Sequence, residues 1–400
     1  MSEFLPYGRQ SISLADINAV VDCLKSDYLT CGPRVEEFER AFAQRVGATY
    51  AVAVNSATSA LHLAMKVAEI GPGDRVLTSP NTFLSSANCA AFVGATPDFV
   101  DIDPVSHNLD PVALAENWKD DTKAVVAVDY AGQACDMSAI TDVARQRGAI
   151  VIEDACHAAG GAFISEGKHW SIGGHPWADM TTFSFHPVKT MTTGEGGMLV
   201  TNNEQYATQA RLLRSHGVTR ESDAFVGLGA ENDPVLSERG SWYYEMSDLG
   251  FNYRITDLQC ALGLSQLDRL DSFVQRRREI VAIYNDGFAD KALITPPGLR
   301  NLADRDFISW HLYTLQIDFE ILGKDRHTVM TELCERGIGS QVLYIPVHLQ
   351  PYYRSEFGYG VGQCPVAEEF YRSALSLPLY PELTDANIDQ VIEGVLNVVA

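Results

Sequence analysis

Between Tyr50 and Arg214 short β-branched runs alternate with helical stretches, and that alternation constrains the fold more than any other feature of the chain. The runs AVAV, RVLTS, AVVAVDY, AIVIED, TTFSF and GMLVT read as strands. Between them, SALHLAMKVAEI and the stretches that end at Gly94, Gly148 and Arg214 read as helices. Strands joined through helices pair in parallel, which predicts an α/β fold with a mainly parallel sheet and helices on both faces.

Two helices are expected ahead of the sheet. Ser13 with Asp16 forms a capping signature before Ile17, Val20, Val21 and Leu24, and Pro33 opens a second helix that Gly47 closes. After the sheet come RITDLQCALGLSQL and an Arg-rich stretch to Asp286, both helical. Beyond Pro296 and Pro297 the texture changes. Strands are expected at HLYTLQID and GSQVLYI, and helices at residues 325–336, 365–376 and 385–397. The expected division is a large domain over residues 1–270, including the N-terminal helices, and a smaller C-terminal α+β domain over residues 271–400. Residues 221–239, with Gly227, Gly229, Asn232 and Pro234, lack periodicity and read as a long loop.

Charge limits the partners. Lys and Arg number 30 against 52 Asp and Glu, a formal charge of −22, which argues against nucleic acid. An anionic small molecule remains possible where a few cationic or backbone N–H groups gather in one cleft. The eight cysteines form no C-x-x-C pair and no zinc spacing, so no metal is expected and reduced thiols suit the cytoplasm. MSEFLPYGRQ carries no apolar leader, and no run approaches the length of a membrane span.

Three common signatures fail. Gly71-Pro-Gly73 lacks a third glycine and precedes a strand, GAFISEGKH ends on His169 where a P-loop needs Ser or Thr, and no G-x-S-x-G is present. The remaining chemistry lies at strand C-termini, where open α/β sheets bind ligands. Asn55-Ser56-Ala57-Thr58-Ser59 ends a strand and starts a helix, which suits either a phosphate or ordinary capping. Asp154 ends AIVIED, as a partner for a pyridinium N–H or as a helix cap. Lys189, in SFHPVKTMTTGEGG, is either a solvated charge or an amine that traps an aldehyde beside a glycine-rich turn.

Taken in order, NSATSAL, VDYAG, EDACHAAG, SFHPVKTMTTGEGG, RSHG and LGFNYRITDLQCALGLSQL resemble the DegT/DnrJ/EryC1/StrS family of sugar aminotransferases over nearly the whole chain. The resemblance implies pyridoxal 5'-phosphate (PLP) fold type I, the aspartate aminotransferase-like architecture, with PLP as cofactor. It implies Lys189 as the Schiff-base lysine and proton carrier, and Asp154 as the partner of the pyridine nitrogen. His157 would lie beside the ring or its phenolic oxygen, with Ala57, Thr58 and Ser184 around the phosphate and Phe83 stacked on the ring. Asn252 would reach the phosphate of a neighbouring subunit, which makes a homodimer the active unit. Within the family the motifs look most like the branch that aminates a UDP-linked 4-keto-6-deoxy-N-acetylhexosamine for pseudaminic acid, with glutamate as donor. By that likeness the sugar nucleotide would meet Tyr7, the loop Asp27, Tyr28, Leu29 and Thr30, and Gln341, Val342, Leu343 and Tyr344. Charge and position add Arg214 and His216 as candidates for its diphosphate.

The acidic segment between His216 and Trp242 departs from what an anionic substrate asks of a lid, and puts the substrate's identity in question. Other outcomes within reach of the resemblance are amination at C3, another nucleotide, a dehydratase, or a PLP-holding regulatory protein without turnover. Known dehydratase relatives carry His at the lysine position, so Lys189 argues against that branch.

Overall fold

The computed structural model describes residues 4–227 and 240–399. Strands β1 (Tyr50–Val54), β2 (Arg75–Thr78), β3 (Thr96–Phe99), β4 (Thr122–Val128) and β5 (Ile150–Asp154) are followed by a hairpin of β6 (Ala162–Ser165) and β7 (Lys168–Ser171), then by β8 (Met180–Ser184) and β9 (Gly197–Thr201). Seven of them form one sheet in the order β1-β9-β8-β5-β4-β2-β3. From β8 to β3 every pairing is parallel, while β9 runs antiparallel to both β8 and β1.

Period-two alternation divides the core between the two faces of this sheet. In β5, Val151 packs with Phe38, Phe42 and Phe183 on one side, and Ile152 with Leu61, Leu63 and Met65 on the other. Covered on both faces, β5 and β8 are almost wholly buried. Apolar residues fill both sides of such strands, which is why their sequences read as near-continuous hydrophobic runs.

The capping box expected at Ser13 is present at the start of the helix Leu14–Leu24. Asp16 also accepts hydrogen bonds from Ser265 Oγ at 2.6 Å and from Arg269 Nη1 at 2.8 Å, so one buried carboxylate ties this helix to Asp257–Leu267 and the residues after it. The second helix, Pro33–Val46, ends at Gly47 with φ 85°, a left-handed conformation that glycine adopts without steric cost.

Toward the C-terminus, β10 (Val218–Thr219) pairs with β11 (Glu245–Met246). A three-stranded antiparallel sheet follows, with β13 (Tyr313–Ile317) between β12 (Ile294–Thr295) and β14 (Ala374–Leu377). It packs with Tyr284, Phe288, Ile388 and Val395 into a separate apolar cluster. The helix Leu270–Phe288 serves both cores, with Leu270 and Val274 against the large sheet and Ile280 to Phe288 in the C-terminal cluster. The division expected at residue 270 falls at the start of this helix.

Several sequence expectations change. GSQVLYI makes no strand. Only Gln341 pairs, exchanging backbone hydrogen bonds with Ser376 at 3.0 and 2.8 Å, while Leu343 and Tyr344 turn toward the large sheet's edge. The helix expected to reach residue 376 ends at Ser373, because Ala374 to Leu377 are drawn into β14 beside β13. TPDF and the GAFISEGKHW hairpin are strands without a strong alternation signal. The loop expected over 221–239 lies mostly outside the described residues, including Gly229, Asn232 and Pro234.

At the first residue of β9, a Cβ on Gly197 would come within 2.4–2.6 Å of the backbone of Ser56 and Ala57. Backbone cannot yield as a flexible side chain can. Gly197→Ala is expected to lower the free energy of urea unfolding by about 1–3 kcal/mol or more, the usual range for overpacking. An unchanged unfolding midpoint would contradict this close approach.

Candidate active site

Glu153 and Asp154 are adjacent on β5 and face opposite sides of the sheet. Glu153 accepts hydrogen bonds from Thr181 Oγ1 at 2.9 Å and the Gly173 N–H at 3.2 Å, and lies 2.8 Å from His175 Nε2. Asp154 faces a cavity of about 320 Å³. Its Oδ2 accepts from Ser86 Oγ at 2.6 Å and its Oδ1 from the Cys156 N–H at 3.2 Å.

Lys189 lies on the turn after β8, where its N–H donates to the His186 carbonyl at 2.9 Å, and its side chain lines the same cavity. Burial holds its ammonium below the usual lysine range, with Asp154 pulling the other way. A larger share of the amine is therefore neutral, the form that attacks a carbonyl. Burial, reinforced by the nearby Lys189 ammonium, keeps His157 well below the usual imidazole range, so this ring is neutral. The His157 Nδ1 accepts the Ala131 N–H at 3.2 Å, which leaves Nε2 to carry the ring proton 3.1 Å from the Tyr344 hydroxyl.

The third wall is the start of the helix Ala57–Val67. Ser56 caps it by accepting the Ser59 N–H at 3.2 Å, and Thr58 Oγ1 lies 2.7 Å from Ser85 Oγ. Ala57 and Thr58 open the helix, so their N–H groups have no intrahelical acceptor. Both residues line the cavity, as does Ser184 at the end of β8. Phe83 also lines it, 56% exposed, with its ring centroid 6.1 Å from that of Tyr344.

The other sequence candidates divide. Tyr7, Leu343 and Tyr344 line the cavity, whereas Gln341 and Val342 do not. Arg214 is turned away from it. Its Nη1 donates to Glu39 Oε1 at 2.6 Å and to the Ala53 carbonyl at 2.7 Å, so its charge is spent inside this chain and the expectation of a diphosphate contact fails here. His216 is exposed and outside the cavity, with its backbone N–H tied to the Phe251 carbonyl at 2.8 Å. Asp27, Tyr28, Leu29 and Thr30 form an exposed loop bridged to Thr256, and Asn252 is likewise exposed. None of these five lines this chain's own cavity.

The sequence reading missed Thr82, Ser85 and Ser86, which line the cavity, and the buried His311, whose ring lies 4.4 Å from that of His157. The serines follow β2, and the rule that singled out Asp154 and Lys189, polar residues just past a strand's C-terminal end, applies to them as well.

Among the described residues no cluster of His, Cys, Asp and Glu is built to hold a metal ion. The donor set fits PLP instead. Free N–H groups at a helix start suit its phosphate, a buried carboxylate suits a protonated ring nitrogen, and a lysine of lowered pKa suits its aldehyde.

The profile of the DegT/DnrJ/EryC1/StrS aminotransferase family matches residues 10–396. The chain belongs to this family. It is 45% identical over 400 residues to the Spore coat polysaccharide biosynthesis protein SpsC of Bacillus subtilis, covering 100% of this chain and 98% of that protein. Helicobacter pylori PseC, an aminotransferase involved in the biosynthesis of pseudoaminic acid, superposes with a TM-score of 0.87 at 29% identity over 99% of both chains. The PMP-form of Spr1654, a putative sugar aminotransferase of Streptococcus pneumoniae, superposes with a TM-score of 0.87 at 31% identity, again over 99% of both. The architecture is therefore PLP fold type I, and the chain is a PLP-dependent sugar aminotransferase.

The lowered pKa of Lys189 has a direct consequence. Mild treatment of the cofactor-free protein with PLP and borohydride near pH 8 is expected to alkylate Lys189 ahead of exposed lysines such as Lys25. Peptide mapping by mass spectrometry reads the order of labelling. Uniform labelling of the lysines would contradict the environment described for Lys189.

Proposed function

We propose that this enzyme moves the amino group of glutamate to C4 of a UDP-linked 4-keto-6-deoxy-N-acetylhexosamine, giving a 4-amino sugar nucleotide. One observation carries the reading: Lys189, Asp154 and the start of the helix Ala57–Val67 converge on a single cavity that also reaches Tyr7 and Tyr344. The likeness to PseC over 99% of both chains supports the choice of sugar.

Bound PLP supplies an electron sink that makes the carbon bearing the transferred nitrogen acidic. Lys189 would hold the cofactor by its aldehyde and, when freed from it, would serve as the proton carrier at the substrate carbon. Asp154 would face the ring nitrogen and hold its proton. The Ala57 and Thr58 N–H groups and the Ser184 hydroxyl would receive the phosphate, Phe83 would stack on the ring, and neutral His157 would lie by it without adding charge. Glutamate leaves as 2-oxoglutarate before the keto sugar is aminated, a ping-pong order.

The active unit in this reading is a homodimer whose Asn252 serves the neighbouring site. Large apolar side chains stand exposed on segments around it, at Tyr28, Leu29, Met246 and Leu249. On the same reading the loop Asp27 to Thr30 meets substrate across the interface. The eight free cysteines support a reducing, cytoplasmic location. No helix of the described residues is long and apolar enough to cross a membrane.

A second reading of the substrate has support of its own. The 45% identity to SpsC favours a nucleotide sugar whose amine is destined for a surface polysaccharide. Supplying glutamate with either a UDP-4-keto-6-deoxy-N-acetylhexosamine or a dTDP-4-keto-6-deoxyhexose tests the UDP assignment, with the amine product read by mass spectrometry. Efficient turnover of only the dTDP sugar would overturn the UDP assignment.

Lys189→Ala is expected to abolish the absorbance of lysine-linked cofactor and to cut turnover by at least about 10²- to 10⁴-fold, the range for loss of a positioned proton carrier. Retention of either would overturn its role. Mixing Lys189→Ala and Asn252→Ala subunits is expected to recover part of the activity that each lacks alone, because mixed dimers hold one intact shared site. No recovery, with subunit exchange shown by labelled chains, would place Asn252 outside the shared site.

A further inference from the structure

Ser86 belongs to the helix Ser85–Phe92, which follows β2, yet it does not cap that helix. Its hydroxyl reaches across 68 positions of sequence to Asp154 Oδ2, at 2.6 Å. Thr82 Oγ1 lies 2.7 Å from the same hydroxyl. All three side chains are buried, with 3% of Thr82, 1% of Ser86 and 4% of Asp154 exposed.

Proton counting fixes the direction of this chain. A carboxylate only accepts, so Ser86 donates its single hydroxyl proton to Asp154, and Thr82 must then donate to Ser86. The run Thr82 to Ser86 to Asp154 is a one-way series of donors that ends on the carboxylate. With the Cys156 N–H on Oδ1, it gives both oxygens of Asp154 a fixed donor while the carboxylate borders the cavity. A carboxylate held from both oxygens cannot rotate freely.

We propose that Ser86, oriented by Thr82, is a positioning residue that holds the Asp154 carboxylate aimed at the ring nitrogen of the cofactor. The neighbouring Ser85 ties the same short helix to Thr58 at 2.7 Å. Two consecutive serines thereby set the spacing between the carboxylate and the helix start that receives the phosphate. The proposal rests on the reading that Asp154 meets the ring nitrogen.

The test titrates purified cofactor-free protein with PLP and follows binding by absorbance, then records the bound cofactor's absorbance against pH. Ser86→Ala is expected to weaken PLP binding about ten- to a hundredfold, the scale of one lost hydrogen bond to a charged group. It is also expected to displace the pH titration of the bound cofactor by about one unit. Ser86→Thr, which keeps the hydroxyl, restores both to near the wild-type values. Thr82→Val, which removes only the donor to Ser86, gives a smaller loss of the same kind and carries the test if Ser86→Ala fails to fold.

A merely structural serine would lower the thermal stability of the cofactor-free protein while leaving affinity and pH titration unchanged in the folded variants. That result overturns the proposal. If Asp154→Asn binds PLP with unchanged affinity and pH titration, the reading of Asp154 itself fails, and the proposal falls with it. If Asp154→Asn is impaired and neither Ser86→Ala nor Thr82→Val is, only the positioning role is overturned.

Discussion

Parallel strands bring their C-terminal ends to one edge of a sheet, and the arrangement of this site depends on that constraint. Thr58 follows β1, Ser86 follows β2, Asp154 ends β5 and Lys189 follows β8. Residues up to 131 positions apart therefore meet around one cavity without any long excursion of the chain. The antiparallel strand β9 contributes differently. Its first residue, Gly197, lets its backbone press against Ser56 and Ala57, which fixes the helix start beside the lysine turn.

The second organising theme is how a strongly acidic chain buries charge at this edge. Buried carboxylates are tolerated where donors or cations meet them. Glu39 has Arg214 and the Ala53 N–H, and Glu153 has Thr181, the Gly173 N–H and the adjacent His175. Asp129 is treated otherwise. One of its oxygens accepts the Cys135 N–H at 2.8 Å while the other has no partner, and burial beside Glu153 and Asp154 raises its pKa well above the carboxylate range. A neutral Asp129 limits the negative charge gathered around β5.

Much of this is legible in the sequence. The strand and helix alternation marks the sheet, and strand-end position together with the order of the family motifs singles out Lys189, Asp154, Ala57 and Thr58, which line one cavity. Arg214 shows where such reasoning stops. An arginine at the end of a helix after the lysine segment has the right charge for a diphosphate, but nothing local reveals that Glu39, 175 positions earlier, has already claimed it. The strand expected at GSQVLYI failed for a related reason. Its β-branched composition is real, yet Tyr344 finds its partner in His157 rather than along a sheet edge.

The sequence by itself determined the α/β class and, through the family motifs, the cofactor, and it singled out Lys189 as the candidate lysine, because periodicity, strand-end position and motif order are local or linear properties of the chain. Only the tertiary structure decided which neighbour each polar group received. It turned Glu153 toward His175 and Asp154 toward the cavity, joined Ser86 to that carboxylate, and took Arg214 out of the site. Hydrogen bonds between residues far apart in sequence depend on sheet order and register, and neither is written in any single stretch of the chain.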